Sequence, residues 1–303
     1  MLSFINVMLN ELKYKIETGN KKALARAITL VENNNNNSFE ILQSFQQKQI
    51  PLIGITGPPG AGKSTLTDAL IENFIQQKKK VGVLCVDPSS PFTSGALLGD
   101  RIRMQSWYNH PDVFIRSLAS RGNPGGVNPN IIEIITLMQA ADFDYIIIET
   151  VGAGQNEVEI AGIANVTVVV LIPEYGDEIQ SLKSGLMEIA DIFAVNKSDK
   201  PNASKFANSL RRTIASFNIK KDVPVVETVA STKQGVDILA KEILLQLHNE
   251  NSDKQSWLLA QKAFYLIRGK RMQNISVHQL KNEIVQLLQQ TDFNLYMFIK
   301  THL

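Results

Sequence analysis

Cysteine is nearly absent. Among 303 residues only Cys85 occurs, so no disulfide can close within the chain, which suits a reducing, cytoplasmic setting. Cys85 lies in an apolar strand pattern and reads as a core residue. The four histidines (His110, His248, His278 and His302) are scattered. Neither a cysteine cluster nor a histidine tract is there to gather nickel, cobalt or zinc. Long hydrophobic runs are missing as well. Stretches such as Val166 to Ile172 fall far short of the roughly 20 apolar residues that cross a bilayer. Met1-Leu2-Ser3-Phe4 lacks a basic region and a small-residue cleavage site, so no secretion signal is read there. Charge of one sign is scarce too: 31 Lys and Arg against 29 Asp and Glu leave a formal +2. A dedicated nucleic-acid binder concentrates basic residues on one face. Neither nucleic acid nor membrane is therefore expected as a partner. Seven methionines in the whole chain do not make a methionine-rich signal-binding domain.

What remains is ordinary for a globular protein, with 44% hydrophobic and 20% charged residues. The length allows one large domain with appendages or two small domains. The chain is organised around Pro51 to Leu70. An apolar strand, Pro51 to Thr56, feeds into Gly57-Pro58-Pro59-Gly60-Ala61-Gly62-Lys63-Ser64, which fits G-x-x-x-x-G-K-[ST]. An amphipathic helix follows, with Leu66, Ala69, Leu70 and Phe74 at helical spacing. Strand, glycine loop and helix in that order make a phosphate site rather than a glycine turn before a helix. The glycines let bare N–H groups curl around phosphate oxygens, and the helix N-terminus, through Thr65, adds its positive end. Lys63 supplies a point charge to the β- and γ-phosphates, and the Ser64 hydroxyl can ligate Mg²⁺.

Three segments are expected: a helical extension over 1–49, a phosphate-loop domain over 50–250, and a helical segment over 251–303. In the first, Lys22 to Glu32 repeats apolar positions at helix period, and the asparagine run Asn33 to Asn37 reads as a solvated connector. In the second, apolar strands at Val81–Val86, Val113–Ile115, Tyr145–Ile148, Val166–Ile172, Ile192–Val195 and Val225–Val226 alternate with helical stretches. That pattern predicts an α/β fold, a mainly parallel sheet with helices on both faces and ligands beyond the strands' carboxyl ends. In the third, Trp257, Ala260, Phe264 and Ile267 lie at helical spacing, as do Val277, Leu280, Ile284, Leu287 and Leu288. So much apolar surface on short helices points to a homodimer.

Asn196-Lys197-Ser198-Asp199 follows a strand and matches N-K-x-D. A carboxylate at Asp199 accepts hydrogen bonds from guanine N1–H and its 2-amino group, whereas adenine would face it with a lone pair. Val229-Ala230 begins a second loop whose backbone N–H meets guanine O6. The metal site needs acids. Glu149 ends a buried strand before Gly152, and Asp87 ends another, while Asp100 lies in the stretch that follows it. Each lone aspartate also has a plain reading as a helix cap or surface charge.

These motifs resemble the MeaB/ArgK-type GTPases, whose human relative is the methylmalonic aciduria type A protein. The family belongs to the SIMIBI class of phosphate-loop GTPases. The resemblance spans Ala23 to Glu32, Gly57 to Thr65, Val86 to Met104, Ala119 to Gly126, Glu149 to Glu157, Gly176 to Asp199 and the helical tail. It implies a GTPase, binding GTP or GDP with Mg²⁺, that gates cofactor loading of an adenosylcobalamin-dependent acyl-CoA mutase and protects or reactivates it. Methylmalonyl-CoA mutase is the typical partner, and a cobalamin adenosyltransferase is a further candidate. By position Ser64, Asp87, Asp100 and Glu149 correspond to the Mg²⁺ residues, Arg103 to the first switch and Gln155 to the second. Lys183 falls in a third partner-sensing segment. Glu174-Tyr175, Pro124 and Ser94-Gly95 depart from the family pattern. Gln155 stands three residues past Gly152, farther than in Ras-type enzymes, so slow intrinsic hydrolysis that a docked mutase accelerates is expected. Two rivals share the architecture. A transport-system kinase would need an acceptor surface, which nothing in the sequence marks, and a metallochaperone would need metal ligands.

Overall fold

The computed structural model describes residues 2–33, 38–46, 48–87, 104–119, 128–150, 160–173, 184–216, 223–248, 252–272, 274–289 and 293–302. Apolar runs become strands here because both faces of each strand are covered. The strands are β1 (Leu52–Thr56), β2 (Val81–Asp87), β3 (Val113–Ala119), β4 (Tyr145–Thr150), β5 (Val166–Leu171), β6 (Ile192–Val195) and β7 (Val225–Glu227). They form one parallel sheet in the order β3-β2-β4-β1-β5-β6-β7. Side chains alternate between two cores with the period of a strand. Ile53, Ile55, Val83, Cys85 and Ile147 pack on one face with Leu66, Leu70 and Phe74 of α4 (Lys63–Gln76) and Leu239 and Ile243 of α8 (Val236–His248). Leu52, Leu84, Val86, Ile146 and Ile148 point to the other. That second face continues over β5 and β6, where Val169, Leu171, Phe193 and Val195 meet Phe206 and Leu210 of α7 (Ala203–Ser216). The expected α/β phosphate-loop architecture is what the chain adopts.

The strand order reverses at β1, which has β4 on one side and β5 on the other. A crevice opens at the carboxyl ends of strands at such a switch point. The glycine loop leaves β1 there.

The N-terminal helices α1 (Leu2–Glu17), α2 (Lys21–Glu32) and α3 (Ser38–Gln43) are not an appendage beside the sheet. They share its second core: Ile16, Leu24, Ala27, Ile28, Val31 and Ile41 are buried with Leu52 and Ile146 and with α5 (Ile131–Ala140). Asn20 caps α2 by accepting the Ala23 N–H at 3.0 Å. Polar contacts fix α2 to the edge of the sheet. Lys21 Nζ donates to the carbonyls of His110 and of Val113, the latter at 2.6 Å, Asn130 Nδ2 donates to Val31 O at 3.0 Å, and Arg116 on β3 pairs with Glu32. This last pair also explains why β3 runs seven residues to Ala119, beyond the expected Val113–Ile115. Arg116 breaks the apolar pattern, yet α2 supplies its counter-charge.

The chain divides into two compact units, Met1–Gln255 and Ser256–Leu303. The second is helical, with the rest of α9 (Ser252–Arg271), α10 (Val277–Leu287) and α11 (Leu295–Lys300). Its aromatic and aliphatic side chains are largely exposed, Trp257 at 66% and Phe264 at 62%. Asn294 caps α11 through the N–H groups of Tyr296 and Met297. No helix among the described residues is long and apolar enough to cross a membrane.

Because Leu24 is 1% exposed within the sheet's own core, Leu24→Ala should destabilise the first unit by about 2–5 kcal/mol. Urea unfolding followed by a probe in the sheet checks this. The shift should appear in the sheet's transition and not in a separate earlier one.

Candidate functional site

The glycine loop is shaped by two close approaches and by three residues with φ above zero. Gly57 has φ of +137°, and a Cβ there would lie 2.2 Å from Val170 O of β5. Gly60 has φ of +77° with open space around it. Gly62 is the N-cap of α4 with φ of +86°, and a Cβ would lie 2.4 Å from Asn196 Nδ2. The loop therefore needs glycine at Gly57 and Gly62 for space and at all three for backbone conformation. No side chain caps α4. A helix N-terminus left open in this way, with its N–H groups turned to one point, is a ready anion site.

Lys63 and Ser64 open α4 and are buried, at 7% and 6% exposure. Lys63 Nζ donates to Gly57 O at 2.8 Å and Pro58 O at 2.9 Å, so the ammonium is folded back on its own loop. Ser64 Oγ donates to Glu149 Oε1 at 2.6 Å. Glu149, at 1% exposure, comes from β4, whose register places Ile55 beside it on β1 and Cys85 beside it on β2. One residue on, Thr150 Oγ1 bonds Thr56 Oγ1 at 3.0 Å. This hydroxyl pair ties the ends of β1 and β4 together, and no sequence pattern marked it. Asp87 ends β2, at the same edge of the sheet as Glu149. Asp100, Gln155 and Lys183, together with Arg101, Arg103 and Arg121, lie outside the described residues, as do Glu174-Tyr175, Pro124 and Ser94-Gly95.

Among the described residues, the Asn196 side chain joins the N-K-x-D loop to the glycine loop. Asn196, at 2% exposure, donates from Nδ2 to Ala61 O at 2.9 Å. Its Oδ1 accepts from Ala230 N at 3.1 Å and from Thr228 Oγ1 at 3.3 Å. Sequence spacing grouped Asn196 with the nucleotide-binding residues, and in the protein its amide holds three loops in place. Lys197 adopts φ of +55°, which turns the chain so that Ser198 N donates to Thr228 O at 3.0 Å. Asp199 is left exposed at the rim. In the Val229-Ala230 loop the two N–H groups already have acceptors: Val229 N donates to Gln234 O at 2.9 Å, and Ala230 N to Asn196. A guanine O6 would have to share the Ala230 donor with Asn196. Thr228 went unnoticed in the sequence. Its position two residues before Ala230 is the only signal it leaves.

The family description "Methylmalonyl Co-A mutase-associated GTPase MeaB" matches residues 24–284. The chain belongs to the MeaB family. It is a phosphate-loop GTPase that binds guanine nucleotide and hydrolyses GTP to GDP and phosphate. A GTPase-family relative from Pyrococcus abyssi is 45% identical over 243 residues, covering 78% of this chain and 75% of its own length. GTPase ArgK of Escherichia coli is 38% identical over 199 residues, covering 64% of this chain and 60% of its own. A fused isobutyryl-CoA mutase of Geobacillus kaustophilus is 35% identical over 255 residues, covering 75% of this chain and 23% of that protein. Among solved structures, that of a LAO/AO transport system kinase superposes with a TM-score of 0.66 at 23% identity. It covers 98% of this chain and 96% of its own, and shows the shared fold.

Gly62 gives a direct test of the loop junction. Gly62→Ala strains a left-handed residue by about 1–2 kcal/mol and pushes on the Asn196 amide. Urea denaturation should show a loss of about 2 kcal/mol or more, whereas Gly60→Ala, with open space, should lose only the conformational part.

Proposed function

We propose that this MeaB-family GTPase serves a cobalamin-dependent acyl-CoA mutase as a chaperone that gates cofactor loading and protects or reactivates the enzyme. One observation carries the partner: three quarters of this chain is similar to a stretch of a protein named as a fused isobutyryl-CoA mutase. Two proteins joined in one chain are held at high effective concentration, the arrangement expected of partners that work together. Methylmalonyl-CoA mutase fits as the free-standing partner, and a cobalamin adenosyltransferase as a third component.

In this reading residues 57–65 hold the phosphates. Lys63 leaves the Gly57 and Pro58 carbonyls for the β- and γ-phosphate oxygens, exchanging two neutral acceptors for charged ones. Both sets of bonds are charge-assisted through the ammonium, but the phosphates add full opposite charge where the carbonyls offer only a dipole, so the exchange favours nucleotide. Ser64 and Glu149 fit Mg²⁺: a hydroxyl and a carboxylate 2.6 Å apart are hard oxygen donors, and that ion takes one or two carboxylates with phosphate oxygens and water. Asp87 and Asp100 complete the set. When bound, the ion neutralises charge on the phosphates. Asp199 reads guanine, with Asn196, Lys197, Val229 and Ala230 shaping its pocket. Gln155 and Lys183 act in hydrolysis once the mutase docks. Self-association through the exposed apolar residues of 256–303 gives a homodimer.

The partner reading is tested by single-turnover GTP hydrolysis with and without a cobalamin-dependent acyl-CoA mutase from the same cell. Acceleration of about 10-fold or more is expected, up to the roughly 10³-fold or more that a supplied cation can give. No acceleration removes the mutase role. Lys183→Ala should reduce the stimulated rate and spare the basal one. For the base, Asp199→Asn should weaken GTP and favour xanthosine triphosphate, since an amide donates to its 2-oxo group. Titration calorimetry with both nucleotides checks the exchange.

A further inference from the structure

The N-terminal layer does more than cover the sheet. Between α1, α2 and α3 lies a cavity of about 420 Å³. Its wall is apolar where Leu9, Leu12, Leu30 and Ile41 meet, and charged along α2, where Lys22 and Arg26 line it. The one acid in the lining, Glu11, is committed to Lys15 at 2.6 Å. Lys22 and Arg26 are four residues apart on one helix face, and among the described residues neither side chain has a hydrogen bond or ion pair. Like charges at that spacing disfavour a helix by about 0.2–0.5 kcal/mol. The N-terminus of α2, capped at Asn20, opens on the same cavity and adds positive potential.

The helix that carries these cations is fixed from its other side. Lys21 is anchored to His110 O and Val113 O, and Glu32 to Arg116. Lys22 and Arg26 are exposed side chains on a helix whose backbone is thus fixed beside the apolar wall. Inorganic phosphate would satisfy the charges and leave the apolar wall wet. A neutral hydrocarbon would cover the wall and leave two cations uncompensated.

We propose that this cavity binds a small amphipathic anion, its carboxylate or phosphate head on Lys22 and Arg26 and its hydrocarbon body against Leu9, Leu12, Leu30 and Ile41. The volume lies at the small end of ligand pockets, which run about 300–1,000 Å³, so a short acyl anion fits better than a whole coenzyme. The site is separate from the nucleotide loops, and its existence does not depend on the mutase reading.

The test uses the full-length protein titrated with octanoate by calorimetry, with octan-1-ol as neutral control. A saturable one-to-one isotherm is expected, with Kd at or below about 1 mM and octan-1-ol at least tenfold weaker. Lys22→Ala/Arg26→Ala should lose at least tenfold for octanoate while keeping the parental GTPase rate, and octanoate should shift the Ile41 methyl resonance in the parent. Lack of saturation, equal binding of octan-1-ol, or unchanged binding by the double variant would overturn the proposal. So would binding only to phosphatidylserine vesicles or to an acidic peptide, with none to octanoate.

Discussion

The buried carboxamide of Asn196 is the contact on which the nucleotide site depends. It reaches from the end of β6 to the glycine loop through Ala61 O and to the β7 loop through Ala230 N and Thr228 Oγ1. A buried amide that lost one of these partners would leave a backbone group unsatisfied at about 1–3 kcal/mol. The three loops therefore hold one another in place, and Gly62 is required because any side chain there would strike the amide. In the proposed reading, phosphate grip and base recognition are separate chemistries resting on one side chain.

Around that fixed point sit groups that are engaged with the protein and available for exchange. Lys63 is held by two loop carbonyls, and Ser64 by Glu149. Each of these contacts satisfies a buried polar group that would otherwise destabilise the ligand-free fold. In the proposed reading each gives way to a contact with a phosphate or the metal ion, where opposite full charges meet. On that reading the site is shaped before binding and changes partners on binding. Gln155 and Lys183, expected from the sequence to act in hydrolysis, lie outside the described residues.

Much of this was legible in the sequence, for identifiable reasons. Continuous apolar runs such as Ile192–Val195 became strands with those bounds, because a strand buried on both faces leaves no polar interruption to misread. The glycine loop was legible because φ above zero and close approach both demand glycine. β3 was cut short in the sequence because Arg116 looks like a terminus until α2 brings Glu32 to it. The first 49 residues looked like a separate extension, since helical periodicity shows which face is apolar and not what covers it. The bridging role of Asn196 was hidden for a similar reason. N-K-x-D spacing places the residue at the base, and only the folded chain shows its amide turned toward Ala61 and Ala230.

We propose that Asn196 sets nucleotide affinity by holding the loops. GDP titration of the parent and of Asn196→Ala, with circular dichroism showing both folded, tests this. The account predicts a loss of at least about tenfold, equivalent to about 1.4 kcal/mol, accompanied by faster hydrogen exchange at Ala230 N–H. Parental GDP affinity in a folded Asn196→Ala protein would contradict it.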